Sequence, residues 1–370
     1  SGLNLPDAAD GEMIELLARH QVPTILFTAT FNRRERERFA SAGLVDYFLK
    51  DTVDVVDRLV ETVERLTQPA TASILVVDDT RSVRMELVRL LRRQNYEVIE
   101  ADCGEVALET LAQNPHIQLV ITDFNMPGLN GAELTREIRN CRSSEALRVI
   151  GLSSSSDPFL SAALLKVGAS DFIYRPFVAE EVVYRVEHNI QTLAQMKHLR
   201  HLAERDPLTG LYNRRAFFEQ AHARFDAMRV SRKSGGLAIL DIDHFKRVND
   251  TYGHDLGDVA IRAVAGVLLD EAAAQGFLAA RFGGEEFVMM FTDKTTDEVL
   301  ACCEAVRLAV EACDVRSEQS RIPLTASIGI SVISLDEGID NNLNAADQML
   351  YMAKNQGRNR VISDAQFCLN

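Results

Sequence analysis

Two short apolar runs in this chain stop on acidic residues: Ser73 to Val77 runs into Asp78-Asp79, and Leu119 to Thr122 runs into Asp123. Segments of helical composition, Val83 to Arg93 and Glu105 to Gln113, alternate with them. Few folds accept that order. Strands ending in carboxylates and separated by helices predict a parallel, doubly wound α/β sheet covered on both faces. Ligands in such sheets gather at the carboxyl ends of the strands. Asp78, Asp79 and Asp123 should therefore converge on one rim, where they suit a hard divalent cation held through oxygen. Residues 72–178 read as one complete domain.

A second constraint lies far downstream. Gly283-Gly284 separates the apolar runs Phe277 to Ala280 and Phe287 to Phe291, which predicts a tight hairpin. Glycine permits positive φ and close approach of a ligand, so Glu285 and Glu286 would be presented at the tip of a turn, suited to a metal and a phosphate. Another apolar strand, Gly236 to Ile242, leads into Asp241-Ile242-Asp243-His244-Phe245-Lys246. Between the two regions, Glu180 to Arg205 contains no Pro or Gly and repeats apolar residues at Val183, Val186, Ile190, Leu193, Met196, Leu199 and Leu202. At ~1.5 Å rise per residue this is a helix of roughly 39 Å. Its first half should pack on the preceding domain and its second half serve as a dimer stalk. The expected divisions are 1–68, 72–178, 179–205 and 206–370.

Bulk properties exclude some classes of function. A chain of 370 residues should form two or three domains. Its formal net charge of -14 argues against a nucleic-acid binder, because phosphate backbones are held mainly by Lys and Arg. No long apolar span or charged-then-apolar leader is present, so neither membrane nor secretion is expected, and a cytoplasmic location is. Six cysteines, none in a C-x-x-C pair, read as reduced thiols, with Cys302-Cys303 in a core-facing helix.

The patterns also carry family resemblances. Residues 72–178 resemble a response-regulator receiver, a flavodoxin-like domain. The resemblance implies Asp78-Asp79 as the metal pair, Asp123 as phospho-acceptor with Asn125 completing the metal set, Ser153 as switch hydroxyl and Phe172 as the aromatic switch. One residue departs: Arg175 precedes Pro176-Phe177 where the family has Lys, and a planar fork is not equivalent to a compact ammonium. Residues 1–68 resemble the second half of another receiver, with strands at Val22 to Ala29 and Val45 to Leu49 and helices at Asn32 to Ala42 and Asp54 to Leu66. Gly2 stands where its acceptor Asp would be, and Asp51 rather than Pro follows Lys50. This segment is expected to be an incomplete receiver that cannot be phosphorylated.

Asp241 to Asp250, Thr251 to Asp258, Gly283-Gly284-Glu285-Glu286-Phe287 and Ala353 to Asn359 together resemble a GGDEF-domain diguanylate cyclase. The resemblance implies a ferredoxin-like α/β palm that condenses two GTP into cyclic di-GMP and releases pyrophosphate. It implies Mg2+, with Mn2+ as an alternative, held by Asp241, Glu285 and the Ile242 carbonyl. Glu285 is the family's candidate base, and the division of roles with Glu286 stays open. Asn249 and Asp258, with His254 nearby, would read guanine. Lys246, Lys354 and Arg358 would neutralise the triphosphate, while Gly283 and Gly284 let it approach. Ala274 and Phe277 stand where many relatives carry the Arg and Asp of a product-inhibition site, so no feedback through that site is expected. The implied partners are GTP, a cognate histidine kinase or other phosphodonor, and a second copy of the chain, since each unit would hold one GTP. The alternative is a catalytically silent scaffold that binds GTP or cyclic di-GMP.

Overall fold

The computed structural model describes residues 2, 5, 6, 8, 11–20, 22–29, 35, 44–50, 55–67, 72–153, 158–316 and 321–367. The chain divides into two compact units, residues 1–198 and 199–370. No helix among the described residues is long and apolar enough to cross a membrane.

The first unit opens with helix α1 (Glu12–Arg19), strands β1 (Thr24–Thr28) and β2 (Leu44–Leu49), and helix α2 (Val55–Thr67). β1 and β2 pair in parallel, with Leu26 and Ile14 at the centre of a small core. The helix expected over Asn32 to Ala42 lies outside the described residues apart from Glu35.

The larger part of this unit contains β3 (Ser73–Val77), α3 (Arg81–Arg93), β4 (Glu97–Ala101), α4 (Gly104–Gln113), β5 (Ile117–Asp123), α5 (Gly131–Cys141), β6 (Arg148–Ser153), α6 (Pro158–Lys166) and β7 (Asp171–Tyr174). The strands form a parallel sheet in the order β4-β3-β5-β6-β7, the flavodoxin-like arrangement. Every residue of β3 is buried, as expected for a strand covered on both faces. Alternation along it sends Ile74 and Val76 to one core and Leu75 and Val77 to the other. Helix α7 (Ala179–Glu204) follows; Val182 and Val186 are fully buried in the first of these cores, whereas Leu199 and Leu202 are 64% and 61% exposed.

The second unit contains β8 (Tyr212–Asn213), α8 (Arg214–Ser231), β9 (Gly235–Ile242), α9 (Phe245–Tyr252), α10 (His254–Gln275), β10 (Leu278–Gly283), β11 (Glu286–Thr292), α11 (Thr296–Ala312), β12 (Val315–Arg316), β13 (Arg321–Ile322), β14 (Ala326–Val332), α12 (Ile339–Asn355) and β15 (Val361–Ser363). β12 and β13 form a separate ribbon; the others make a mixed sheet in the order β15-β14-β9-β11-β10-β8. The central trio β14-β9-β11 is antiparallel. Phe287, Met289 and Phe291 point into one core and Val288 and Met290 into the other. Helix α12 crosses β14 closely at Gly329. A Cβ there would lie 2.1 Å from the Leu350 nitrogen, so the position requires glycine. That contact fixes α12, and with it Lys354 in its last turn and the loop that carries Arg358, against the ends of the central strands.

Candidate active site

β9 places Asp241 in a rim of acidic groups. Its register partners are Glu286 on β11 and Ser327 on β14, and the Ile242 N–H donates to the Glu285 carbonyl at 3.4 Å. Glu285 thus stands at the tip of a two-residue turn beside Asp241. Gly283 and Gly284 have φ of 152° and 52°, and a Cβ on either would meet open space. The backbone conformation, not crowding, calls for glycine here, and it leaves an uncovered ledge beside the carboxylates.

Asp241 is 7% exposed, and its carboxyl is held above the usual range by burial, with Glu285 and Glu286 adding to the rise against Lys354. Lys354, at the end of α12, reaches Asp241 Oδ2 with Nζ at 2.9 Å. An unscreened carboxylate with one ammonium on one oxygen suits a divalent cation. Among the described residues no group of three or more His, Cys, Asp or Glu is drawn together in ligand geometry. That is compatible with magnesium, which commonly takes one or two carboxylates and completes its shell with substrate phosphates and water. Asp241, Glu285 and the Ile242 carbonyl could hold it in this way.

The expected guanine readers lie on the neighbouring helical pair. Asn249 on α9 packs against Gly257 on α10, where an added Cβ would come within 1.9 Å of Asn249 Oδ1. That Oδ1 is buried without a hydrogen-bond partner among the described residues. An orphaned buried acceptor is costly in a resting protein and is useful where a ligand supplies the donor. His254 and Asp258 are exposed on α10, and Lys246 is exposed on α9. Phe245 is 7% exposed and belongs to the core. Phe277 is buried against Phe291, with ring centroids 4.8 Å apart, and Ala274 is exposed.

Three sets of contacts organise the site; a bracing role for Arg281 and a capping or bridging role for Asp243 are open to sequence reasoning, but their partners are not. Asp243 does not face the ledge. Its Oδ1 accepts from Ser327 Oγ at 2.7 Å, and its Oδ2 accepts from Thr325 Oγ1 at 2.8 Å and the Asn359 N–H at 3.0 Å. It pins the left-handed pair Arg358 and Asn359, with φ of 62° and 45°, to β14. From α11, Arg307 donates to Asn359 Oδ1 at 2.7 Å, while Glu311 accepts from Asn359 Nδ2 at 3.0 Å. Arg281 braces the hairpin by donating Nε and Nη2 to the Gly284 carbonyl at 3.0 and 2.8 Å and Nη1 to Asp206 Oδ1 at 3.1 Å. Burial raises the Asp206 pKa, but bonds from Thr209 and Arg281 outweigh it and hold the carboxyl below its usual range. The Asp-x-x-Thr spacing at 206 to 209 was the available clue, since such an Asp accepts from the N–H three residues on.

In the first unit, Asp78, Asp123 and Ser153 are buried at the strand ends, and Asp79 and Asn125 are exposed. Phe172 is buried, edge-on to Tyr174 at 4.8 Å. Burial, with Asp78 and Asp79 nearby, pushes the Asp123 carboxyl up to about 6 against the pull of Arg175. The expected metal set Asp78, Asp79, Asp123 and Asn125 is not assembled. Asp78 Oδ1 accepts the Thr80 N–H at 2.8 Å, its Oδ2 is bonded to Arg175 Nη2, and Asp79 accepts from Thr80 Oγ1 at 3.4 Å. With both Asp78 oxygens occupied, the pocket as arranged does not fit a divalent cation.

A flavodoxin-like sheet with an acidic rim, and a separate palm with a glycine-tipped acidic ledge, define a response regulator with a nucleotide-processing output domain. Residues 74–187 match the response regulator receiver domain, and residues 203–360 match the family described as diguanylate cyclase, GGDEF domain. The chain is a response-regulator diguanylate cyclase. Among its relatives, Response regulator PleD of Caulobacter vibrioides is 28% identical over 384 residues, covering 94% of this chain and 84% of that protein. Diguanylate cyclase VdcA of Vibrio cholerae is 42% identical over 164 residues, 42% of this chain and 46% of its own length. A crystal structure of the coiled coil and GGDEF domain of DgcB from Caulobacter crescentus in complex with c-di-GMP aligns with a TM-score of 0.46 at 32% identity, covering 50% of this chain and 98% of that one.

Proposed function

We propose that each cyclase unit holds one GTP over the hairpin ledge and that two copies of the chain face each other to make cyclic di-GMP. In each half-reaction a ribose 3′-oxygen forms a bond to the α-phosphorus of the opposite GTP. The bond from that phosphorus to the β-bridging oxygen breaks, and pyrophosphate leaves with its electron pair. Two such bonds close the ring. The supporting observation is the open, positive-φ turn that sets Glu285 beside the buried Asp241.

Asn249 and Asp258, with His254 nearby, read the guanine edge, whose N1–H and N2 amine need acceptors. Lys246, Lys354 and Arg358 hold the triphosphate and offset charge as the transition state develops. Lys354 already lies against Asp241 and has only to turn toward phosphate. Glu285 or Glu286 takes the 3′-hydroxyl proton. Mg2+ bound by Asp241, Glu285 and the Ile242 carbonyl would lower the pKa of that hydroxyl and neutralise phosphate charge. The exposed Leu199 and Leu202 stripe on α7 pairs two copies. Asp123, with Ser153 and Phe172, takes the input from a histidine kinase or another phosphodonor, and residues 1–68 are the second half of a further receiver. The protein works in the cytoplasm, where GTP is available.

Incubation with GTP and magnesium should yield cyclic di-GMP and pyrophosphate in a 1:2 ratio. E285A, with folding retained, should lose both products. Turnover unaffected by E285A would sink the assignment.

A further inference from the structure

The receiver pocket already contains a cation of its own. Arg175 directly follows β7, and its backbone N–H donates to the Ser153 carbonyl at the end of β6 at 2.8 Å, which sets its side chain beside the acidic rim. Nη2 is bonded to Asp78 Oδ2, and Nη1 lies 3.6 Å from Asp123 Oδ1. The fork therefore spans two of the three carboxylates of the expected acidic set. Asp78 is fully buried and the Arg175 side chain only 16% exposed, so solvent screens the pair weakly. Thr80 occupies the remaining Asp78 oxygen.

We propose that Arg175 acts as a resident counter-ion that occludes the receiver's divalent-cation site, so that metal and guanidinium compete for Asp78 and Asp123. The proposal rests on the reading of Asp78, Asp79 and Asp123 as the acidic set. A lysine at this place would behave differently. Its ammonium is a compact point charge on a flexible stem and can serve one carboxylate while leaving the other to a metal. The planar fork reaches both carboxylates at once, hydrogen-bonded to Asp78 and within ion-pair distance of Asp123, and a charge-assisted bond such as that to Asp78 is among the stronger ones. The receiver would therefore rest with the charge of its rim partly offset and without metal, and loading it would require the Arg175–Asp78 pair to open.

The test is a Mn2+ titration of the full chain, with free ion followed by electron paramagnetic resonance, for the wild type, R175K and R175K/D123N. R175K should gain one Mn2+ per chain, bound at least ~10-fold more tightly than any receiver ion in the wild type, as expected for losing one charge-assisted contact. The gain should vanish in R175K/D123N. Sites outside the receiver are common to all three proteins and cancel in the comparison. Identical isotherms for wild type and R175K would overturn the competition. A gain that survives D123N would instead show that the acidic set had been misassigned. Thermal melts control for folding, because a merely structural Arg175 would lower Tm without adding a bound ion.

Discussion

Asp243 offers the sharpest test of how this palm is built, because its three donors fix the outcome of two different substitutions. Each hydrogen bond to a buried carboxylate contributes about 1.5–3 kcal/mol. In D243A all three are lost. Thr325 and Ser327 can turn their hydroxyls elsewhere, but the Asn359 N–H is left unsatisfied, for a total cost of roughly 3–5 kcal/mol. D243N should cost far less. Its amide oxygen can take the place of Oδ2 and accept from Thr325 and Asn359, while the amide NH2 donates to a reoriented Ser327 hydroxyl. Only the charge assistance is lost, about 1–2 kcal/mol, since charged hydrogen bonds are roughly twice as strong as neutral ones. The functional consequence follows from Asn359 holding Arg358 in place. Freeing the loop by an ångström could lower kcat by about 10²-fold, and D243N should recover most of it. Steady-state GTP kinetics and thermal melts on both variants test this. If folded D243A matched wild-type kcat, Asp243 would be a fold residue alone and the positioning role would be wrong.

Two further outcomes can be checked together. Asp241 has a raised folded pKa, so its contribution to stability is fully present below the ordinary carboxylate range and is lost as pH rises through the folded value. D241N in EDTA should therefore melt higher than wild type at about pH 7–8, with the difference fading toward about pH 4; a variant that melts lower throughout would contradict the net balance of burial and like charge over Lys354. R281A should lose the links to Gly284 and Asp206 and about 2–3 kcal/mol of stability, and a double-mutant cycle with D206A should give a coupling of about 1 kcal/mol or more. A coupling indistinguishable from zero would mean that the 3.1 Å pair does not brace the turn.

Much of this architecture could be read along the chain because the governing physics is local. Apolar runs that end in carboxylates place Asp78, Asp123 and Asp241 at strand ends, since a strand fixes where its last residue emerges. Gly283-Gly284 announces its turn because few residues tolerate a φ of 52°. The contacts that stayed hidden join residues far apart in sequence. Arg281 meets Asp206 across 75 positions, Ser327 meets Asp243 across 84, and Arg175 meets Asp78 across 97. Each depends on which strands become neighbours. The pairing that sets Ser327 opposite Asp241 also brings its hydroxyl to Asp243, two residues on and just past the end of β9. An Asp-x-Asp pair in the sequence cannot reveal that one carboxylate faces the ledge while the other faces Asn359.

The two acidic rims show how one device can serve opposite ends. Each sets a basic side chain against a buried carboxylate, which offsets part of the rim's negative charge at rest. Lys354 touches one oxygen of Asp241, is 31% exposed, and has Glu285 and Glu286 close by to draw in further positive charge. It can swing to a phosphate with little loss, and the arrival of a metal with substrate replaces what it leaves. Arg175 is 16% exposed, spans Asp78 and Asp123, and shares Asp78 with a backbone N–H that cannot move away. Exchange at the first rim is a side-chain rotation, whereas exchange at the second needs two contacts to break together. Added divalent ion should therefore act first on the cyclase unit and reach the receiver only at much higher concentration, an order that R175K should compress.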